Sequence, residues 1–231
     1  MHEREVQLAG LRALVVEPAV PASLTVFVLH GYDMRPEELA PFAHSLGVHA
    51  RFVVPQGPVA ASGTGFGWWP IEEHAPAAAR ARGARDLSHV YPPRLAAAHR
   101  QLHAAIDDAC AAWGAGPTAL VGFSQGGMLA CDVALRGSRA IAALAPLSAS
   151  RLALDEWKAH LPRARNLPVL VAHGRRDADL AFAAGEGLRD MLADAGAQVT
   201  WVPHDDGHVI PLPVWRALRH FLRAHATPPH A

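Results

Sequence analysis

The sequence predicts an α/β fold with a mostly parallel central sheet and helices on both faces. Three observations carry this. Short β-rich runs alternate with longer Ala/Leu-rich stretches of helical period. The runs Leu24–Leu29 and Leu167–Ala172 are almost continuously apolar, as strands buried on both faces are. Of 231 residues, 51% are hydrophobic and only 18% charged, enough apolar surface to cover both sides of a sheet. A chain of this length buries roughly 70–75% of the surface its unfolded form exposes. Residues 1–231 are therefore expected to form one domain that needs no metal or disulfide for support.

In chain order, Val6–Leu8 and Ala13–Val16 flank Ala9-Gly10 and predict an antiparallel hairpin. Leu24–Leu29 is a buried strand ending in His30-Gly31. A helix is expected near Pro36, whose ring suits a first turn, with Glu37 and Glu38 where the helix dipole favours negative charge. Arg51–Val54 is a short strand. Residues 55–92 carry much of the Pro and Gly without a sustained period and read as a long surface excursion; loops of that length are usually functional. Arg94–Trp113 follows as a helix, then a strand at Thr118–Val121, a helix at Gln125–Leu135, and strands at Ala140–Leu147 and Leu167–Ala172. A helix at Leu180–Ala195, a strand at Gln198–Val202 and a closing helix at Pro213–Ala224 complete the pattern. The Pro-rich tail after Ala226 is expected to fray.

Composition excludes several classes of partner. Twenty-one basic side chains balance 21 acidic ones with no long run of either sign, which argues against a nucleic-acid partner. Cys110 and Cys131 both lie in Ala-rich stretches and read as buried thiols in a reducing compartment. The first twenty residues contain no apolar run long enough for a signal peptide, and no stretch approaches the ~20 uncharged apolar residues of a membrane span. A cytoplasmic location without stable membrane insertion is expected. Fifteen histidines are scattered without H-E-x-x-H or C-x-x-C spacing, so no metal site is expected.

The strongest chemical signal is Gly122-Phe123-Ser124-Gln125-Gly126-Gly127, between a buried strand and a helix. A nucleophilic serine must project from a sharp strand-to-helix turn, and the residues two before and two after it must be small because the turn brings their backbones together. Gly122 and Gly126 meet that demand. A serine hydroxyl also needs a base, and the base an orienting carboxylate. Asp177 follows the strand Pro168–Ala172 within His173-Gly174-Arg175-Arg176-Asp177, and His208 follows the last strand within Asp205-Asp206-Gly207-His208. Asp179 is better explained as a helix cap, and Asp205 and Asp206 lie too close to His208 in sequence to reach its far ring nitrogen easily. Asp177 is therefore favoured as the acid. Donors for a tetrahedral oxygen are expected from the N–H of Gln125 and, as first choice for the second, the N–H of Tyr32. His30 and His173 end buried strands in the same His-Gly device and read as structural hydrogen-bonders.

With these residues in place the chain resembles the α/β-hydrolase superfamily, and within it the phospholipase/carboxylesterase family that includes the acyl-protein thioesterases. The likeness runs from Val26–Gly31 through Gly122–Gly127 and His173–Asp177 to Gly207-His208. It implies Ser124 as nucleophile, His208 as base, Asp177 as its orienter, and Tyr32 and Gln125 as oxyanion donors, with no cofactor. Trp68 and Trp69 fall where members carry an aromatic loop beside the site, and are either substrate contacts or loop anchors. The chain departs from the family in reading Tyr32-Asp33-Met34 after the first His-Gly and in placing Ala178, not Pro, after the acid. About twenty residues separate Leu147 from Leu167, too few for a separate lid domain. The implied activity is hydrolysis of small-molecule carboxylic esters or thioesters through an acyl-serine intermediate. A hydrolase of the same fold acting on amide or carbon–carbon bonds shares every motif, and a non-catalytic binding protein is the alternative from another class.

Overall fold

The computed structural model describes residues 1–71 and 83–226. The chain opens with β1 (His2–Leu8) and β2 (Leu11–Glu17), joined through Ala9 and Gly10, whose φ angles of 47° and 76° give the two left-handed positions that a tight hairpin turn requires. The hairpin is longer than apolar alternation alone predicts. Arg4 reaches Glu17 at 2.9 Å and Arg12 reaches Glu5 at 2.9 Å, so charged pairs carry the strands past the apolar run. The strands β3 (Thr25–Leu29), β4 (Arg51–Pro55), β7 (Thr118–Phe123), β8 (Ala143–Leu147), β9 (Pro168–Gly174) and β10 (Gln198–His204) complete an eight-stranded sheet in the order β1-β2-β4-β3-β7-β8-β9-β10. Only the β1–β2 and β2–β4 pairings are antiparallel. The two short strands skipped in that order, β5 (Val59–Ala60) and β6 (Phe66–Gly67), pair with each other.

Helices cover both faces. On one side α1 (Pro36–Ser45) and α6 (Leu212–His225) bury Leu39, Ala43, Val214, Leu218 and Leu222 against the sheet. On the other, α2 (Leu95–Trp113), α3 (Gln125–Arg136), α4 (Leu154–Lys158) and α5 (Phe182–Asp194) pack over Phe27, Leu120, Leu144 and Val169. No helix among the described residues is long and apolar enough to cross a membrane.

Several boundaries differ from the sequence reading, some of them for a clear tertiary reason. The strand expected from Ala140 starts at Ala143, because the incoming backbone first gives the Ala142 N–H to the Thr118 carbonyl. The helix expected from Leu180 starts at Phe182, because the Leu180 N–H is taken by the Asp177 carboxylate and the Ala181 N–H by the Arg85 carbonyl. The excursion after residue 55 is partly internal. Asp33 accepts the Gly65 N–H at 2.9 Å and the Met34 carbonyl accepts that of Phe66, pinning the β5–β6 hairpin to the end of the sheet. Residues 72–82 of that excursion and the tail 227–231 lie outside the described residues.

Every position of α3 from Gln125 to Leu135 is buried, as expected of a helix sandwiched between a sheet and other helices. That puts Asp132 in the core. Its carboxylate accepts hydrogen bonds from Trp157 Nε1 (2.8 Å), Arg136 Nη1 (3.1 Å) and His99 Nδ1 (2.7 Å). Burial opposes ionisation there, but these donors and the Arg136 charge outweigh it and hold the carboxyl below its ordinary range. Removing one donor leaves a buried charge partly unsatisfied, so Trp157→Phe is expected to lose about 1–3 kcal/mol of stability. Urea unfolding checks this, and a wild-type midpoint would show that Trp157 contributes only its ring.

Candidate active site

The loops at the carboxyl ends of the parallel strands meet around the β7–α3 turn. Ser124 sits there with φ 53° and ψ −118°, a strained conformation for a residue with a side chain. Its N–H donates to the Leu147 carbonyl at 2.8 Å, and its carbonyl accepts the Met128 N–H, so the turn is held from both sides. The side chain makes no capping hydrogen bond to α3, and a helix-cap role does not account for the residue. The close approach foreseen for this turn is present. A Cβ on Gly122 would lie under 3.0 Å from the Gly126 carbonyl, and one on Gly126 under 3.0 Å from the carbonyls of Leu29 and His30. The amides of Gln125 and its neighbours in the first turn of α3 have no partner four residues back, leaving positive dipole ends beside Ser124.

The contact at Gly126 also places the end of β3 against this turn, and with it the segment His30-Gly31-Tyr32. Gly31 lies against the Phe123 ring, and the Tyr32 ring lies over Gly67. The two backbone donors expected for an oxyanion, Tyr32 N–H and Gln125 N–H, thus belong to segments that touch.

The Gln125 side chain has a separate task that sequence reading missed. It is 2% exposed; its Oε1 accepts the Trp68 N–H at 2.8 Å and its Nε2 donates to the Trp69 carbonyl at 2.9 Å. Trp68 Nε1 donates in turn to the His30 carbonyl at 2.9 Å. Trp68 and Trp69 are 1% and 4% exposed, which leaves almost no ring surface for a bound molecule. Of the two roles open to them, anchoring the loop is the one this burial fits. His30 is buried beneath; its Nδ1 donates to the Gly31 carbonyl and its Nε2 accepts the Gly57 N–H. Burial lowers its pKa, so the ring is neutral and its hydrogen bonding is complete.

Asp177 and His208 come together. His208 Nδ1 donates to Asp177 Oδ2 at 2.7 Å, which leaves Nε2 as the unprotonated nitrogen of the neutral ring. The His208 ring packs on Phe123, centroids 4.8 Å apart, and so lies beside the residue that precedes Ser124. The Asp177 side chain is fully buried, and its Oδ1 accepts the N–H groups of Asp179 and Leu180, both at 2.9 Å. Burial alone would raise its pKa. Hydrogen bonds from His173 and His208, the charge of His208 and the Leu180 N–H outweigh that penalty and hold the carboxyl far below the usual carboxylate range. The competing acids are placed elsewhere. Asp205 and Asp206 are exposed, Asp205 lying near Arg175, and Asp179 meets Arg85 through its backbone.

Following the base in the chain, Val209 is 49% exposed and Leu212 61% exposed. A groove of about 700 Å³ lies away from these residues, between Arg151, Lys158 and Met191. Among the described residues, no group of three or more His, Cys, Asp or Glu side chains is arranged to hold a metal ion.

Solved structures share this architecture. The fold matches that of the esterase PE8, at 27% identity and a TM-score of 0.78 over 95% of this chain and 100% of that one. It also matches a carboxylesterase from Mesorhizobium loti (20% identity, TM-score 0.76, 95% and 98% of the two chains) and acyl-protein thioesterase 2 from Zea mays (17%, 0.72, 93% and 98%). The central sheet and its helices are those of an α/β-hydrolase. The sequence pattern of the phospholipase/carboxylesterase family matches residues 11–226, nearly the whole chain, and the protein belongs to that family.

Proposed function

We propose that the protein is a serine hydrolase that cleaves carboxylic esters or thioesters through an acyl-Ser124 intermediate. The observation that carries this reading is the buried, ionised Asp177 on Nδ1 of His208, whose ring packs against the turn that holds Ser124. His208 Nε2 takes the Ser124 proton as Oγ attacks the substrate carbonyl carbon. The tetrahedral oxygen accepts hydrogen bonds from the N–H groups of Gln125 and Tyr32. Asp177 steadies the imidazolium, which then protonates the departing alkoxide or thiolate. Water, deprotonated by the same Nε2, attacks the acyl carbon and releases the acid and free Ser124.

Trp68 and Trp69 keep the neighbouring loop in place in this scheme, and the exposed Val209 and Leu212 favour an apolar acyl or leaving group. No step calls for a cofactor. The short connection between β8 and β9 holds only α4 and a 3₁₀ turn at Leu161–Ala164, which suits an open site for small or flexible substrates.

Ser124→Ala is expected to fold normally, to resist fluorophosphonate labelling and to lose activity on an activated aryl ester by roughly 10⁴-fold or more. Retention of most turnover would end the proposal. A matched panel of esters, thioesters and amides then assigns the scissile bond, and a strong preference for amides would remove the ester label. Activity should fall on acidification, because a protonated imidazole cannot take the Ser124 proton, while Asp177 stays ionised.

Asp177 also contributes to stability. Its folded pKa is depressed, so its contribution is present above the unfolded carboxyl value and is lost as pH falls toward the folded one. Asp177→Asn should cost on the order of 2 kcal/mol at pH 7. Thermal melts should show the gap from wild type narrowing below about pH 4. A gap independent of pH would mean that the carboxylate charge contributes nothing to folding.

A further inference from the structure

A second imidazole reaches the proposed catalytic acid. His173, with its side chain fully buried, places Nε2 3.3 Å from Asp177 Oδ2, the oxygen that accepts His208 Nδ1, and 3.0 Å from the Leu180 carbonyl oxygen. A carbonyl only accepts, so Nε2 of His173 carries the proton and Nδ1 is bare. That bare nitrogen finds no hydrogen-bond partner. It faces Gly185 of α5, where a Cβ would lie under 3.0 Å from Nδ1 and Cγ of the ring. The ring is therefore held in one tautomer, its single N–H bonded to the Leu180 carbonyl and its nitrogen 3.3 Å from the acid. With the Asp179 and Leu180 amides on Oδ1 and His208 on Oδ2, His173 brings a fourth N–H group to the carboxylate.

We propose that His173 is a positioning residue for the acyl-transfer site, supplying the second donor on the carboxylate oxygen that orients His208, and that Gly185 keeps its ring in place. This rests on the Ser124–His208–Asp177 reading. Two consequences follow from the geometry. The carboxylate cannot rotate away from His208 while His173 holds Oδ2 from another side. The charge on Oδ2 is also divided between two N–H groups, which tempers its pull on a proton at His208. Removing the His173 donor therefore favours the protonated base, and the acid limb of the pH profile moves upward.

The other charged groups near His208 are Arg175, Arg176 and Asp179 on the acid loop, and His204, Asp205 and Asp206 on its own segment. Arg176 bonds the Asp205 carbonyl, Arg175 lies 3.4 Å from the Asp205 carboxylate, and His204 lies 3.7 Å from Asp206. Substitution at 173 or 185 removes none of these pairs. Phe123 and Ser124, on the β7–α3 side, bring no charge.

The test compares wild type, His173→Ala, His173→Gln and Gly185→Ala. An activated aryl ester is assayed from about pH 5 to 9, with thermal melts and fluorophosphonate labelling of Ser124 alongside. His173→Ala should lower kcat about tenfold with KM little changed, and raise the acid limb by roughly half a pH unit. His173→Gln, whose amide nitrogen takes the place of Nε2, should restore most of both. Gly185→Ala adds a methyl where the ring lies, so it should reproduce the shifted limb even though alanine suits a helix better than glycine. An unshifted limb in His173→Ala and Gly185→Ala overturns the proposal, as does a Gln variant no better than Ala at equal melting temperature. If His173→Ala fails to fold, the limb of Gly185→Ala alone decides it. Absence of Ser124 labelling in wild type is a different result, since it removes the hydrolase reading on which the proposal rests.

Discussion

The backbone of Gly126 lies so close to the carbonyls of Leu29 and His30 that no side chain fits between them, and Gly122 meets Gly126 in the same way. This close approach lets β7 turn into α3 through one strained residue, Ser124. It also seats the end of β3 beside the first turn of the helix. A looser turn would carry Ser124 away from the helix N-terminus and separate the Tyr32 and Gln125 amides. The strain costs stability locally, and the burial of α3 on all sides offsets it.

Around that turn several buried polar groups find their partners. Gln125 spends both ends of its amide on the Trp68–Trp69 backbone, and His30 uses both ring nitrogens. Asp177 is surrounded by donors, as is the remote Asp132. A buried carboxylate with several donors is ionised and rigid, which is the state an orienting acid requires. The two carboxylates share this physics but not a task. Asp177 hands one of its bonds to a half-buried imidazole at the sheet's edge, whereas Asp132 ties α2, α3 and α4 together inside the core.

Much of the architecture was legible in the residues. Continuous apolar runs marked the parallel strands, and Gly122 and Gly126 marked the turn between β7 and α3. The chain order of Ser124, Asp177 and His208 anticipated which loops would meet, and the Asp177–His208 hydrogen bond is present. Less legible were features whose partners lie far away in sequence. The resemblance left Trp68 and Trp69 as either substrate contacts or loop anchors, and Gln125 and His30, more than thirty residues away, draw them inward. Leu180 has helical neighbours, but the Asp177 carboxylate takes its amide first and delays the helix.

By itself, then, the sequence determined the α/β class, the order of the main strands and helices, and the residue types proposed for acyl transfer. These follow from local quantities: hydrophobic period, backbone freedom at glycine, and the ends of apolar runs. Only the tertiary structure decided which of the four nearby aspartates meets His208, what anchors the tryptophans, and that His173 shares the oxygen holding the proposed base. Those outcomes depend on which donors and acceptors arrive at one buried point from distant segments, and no spacing along the chain encodes that arrival.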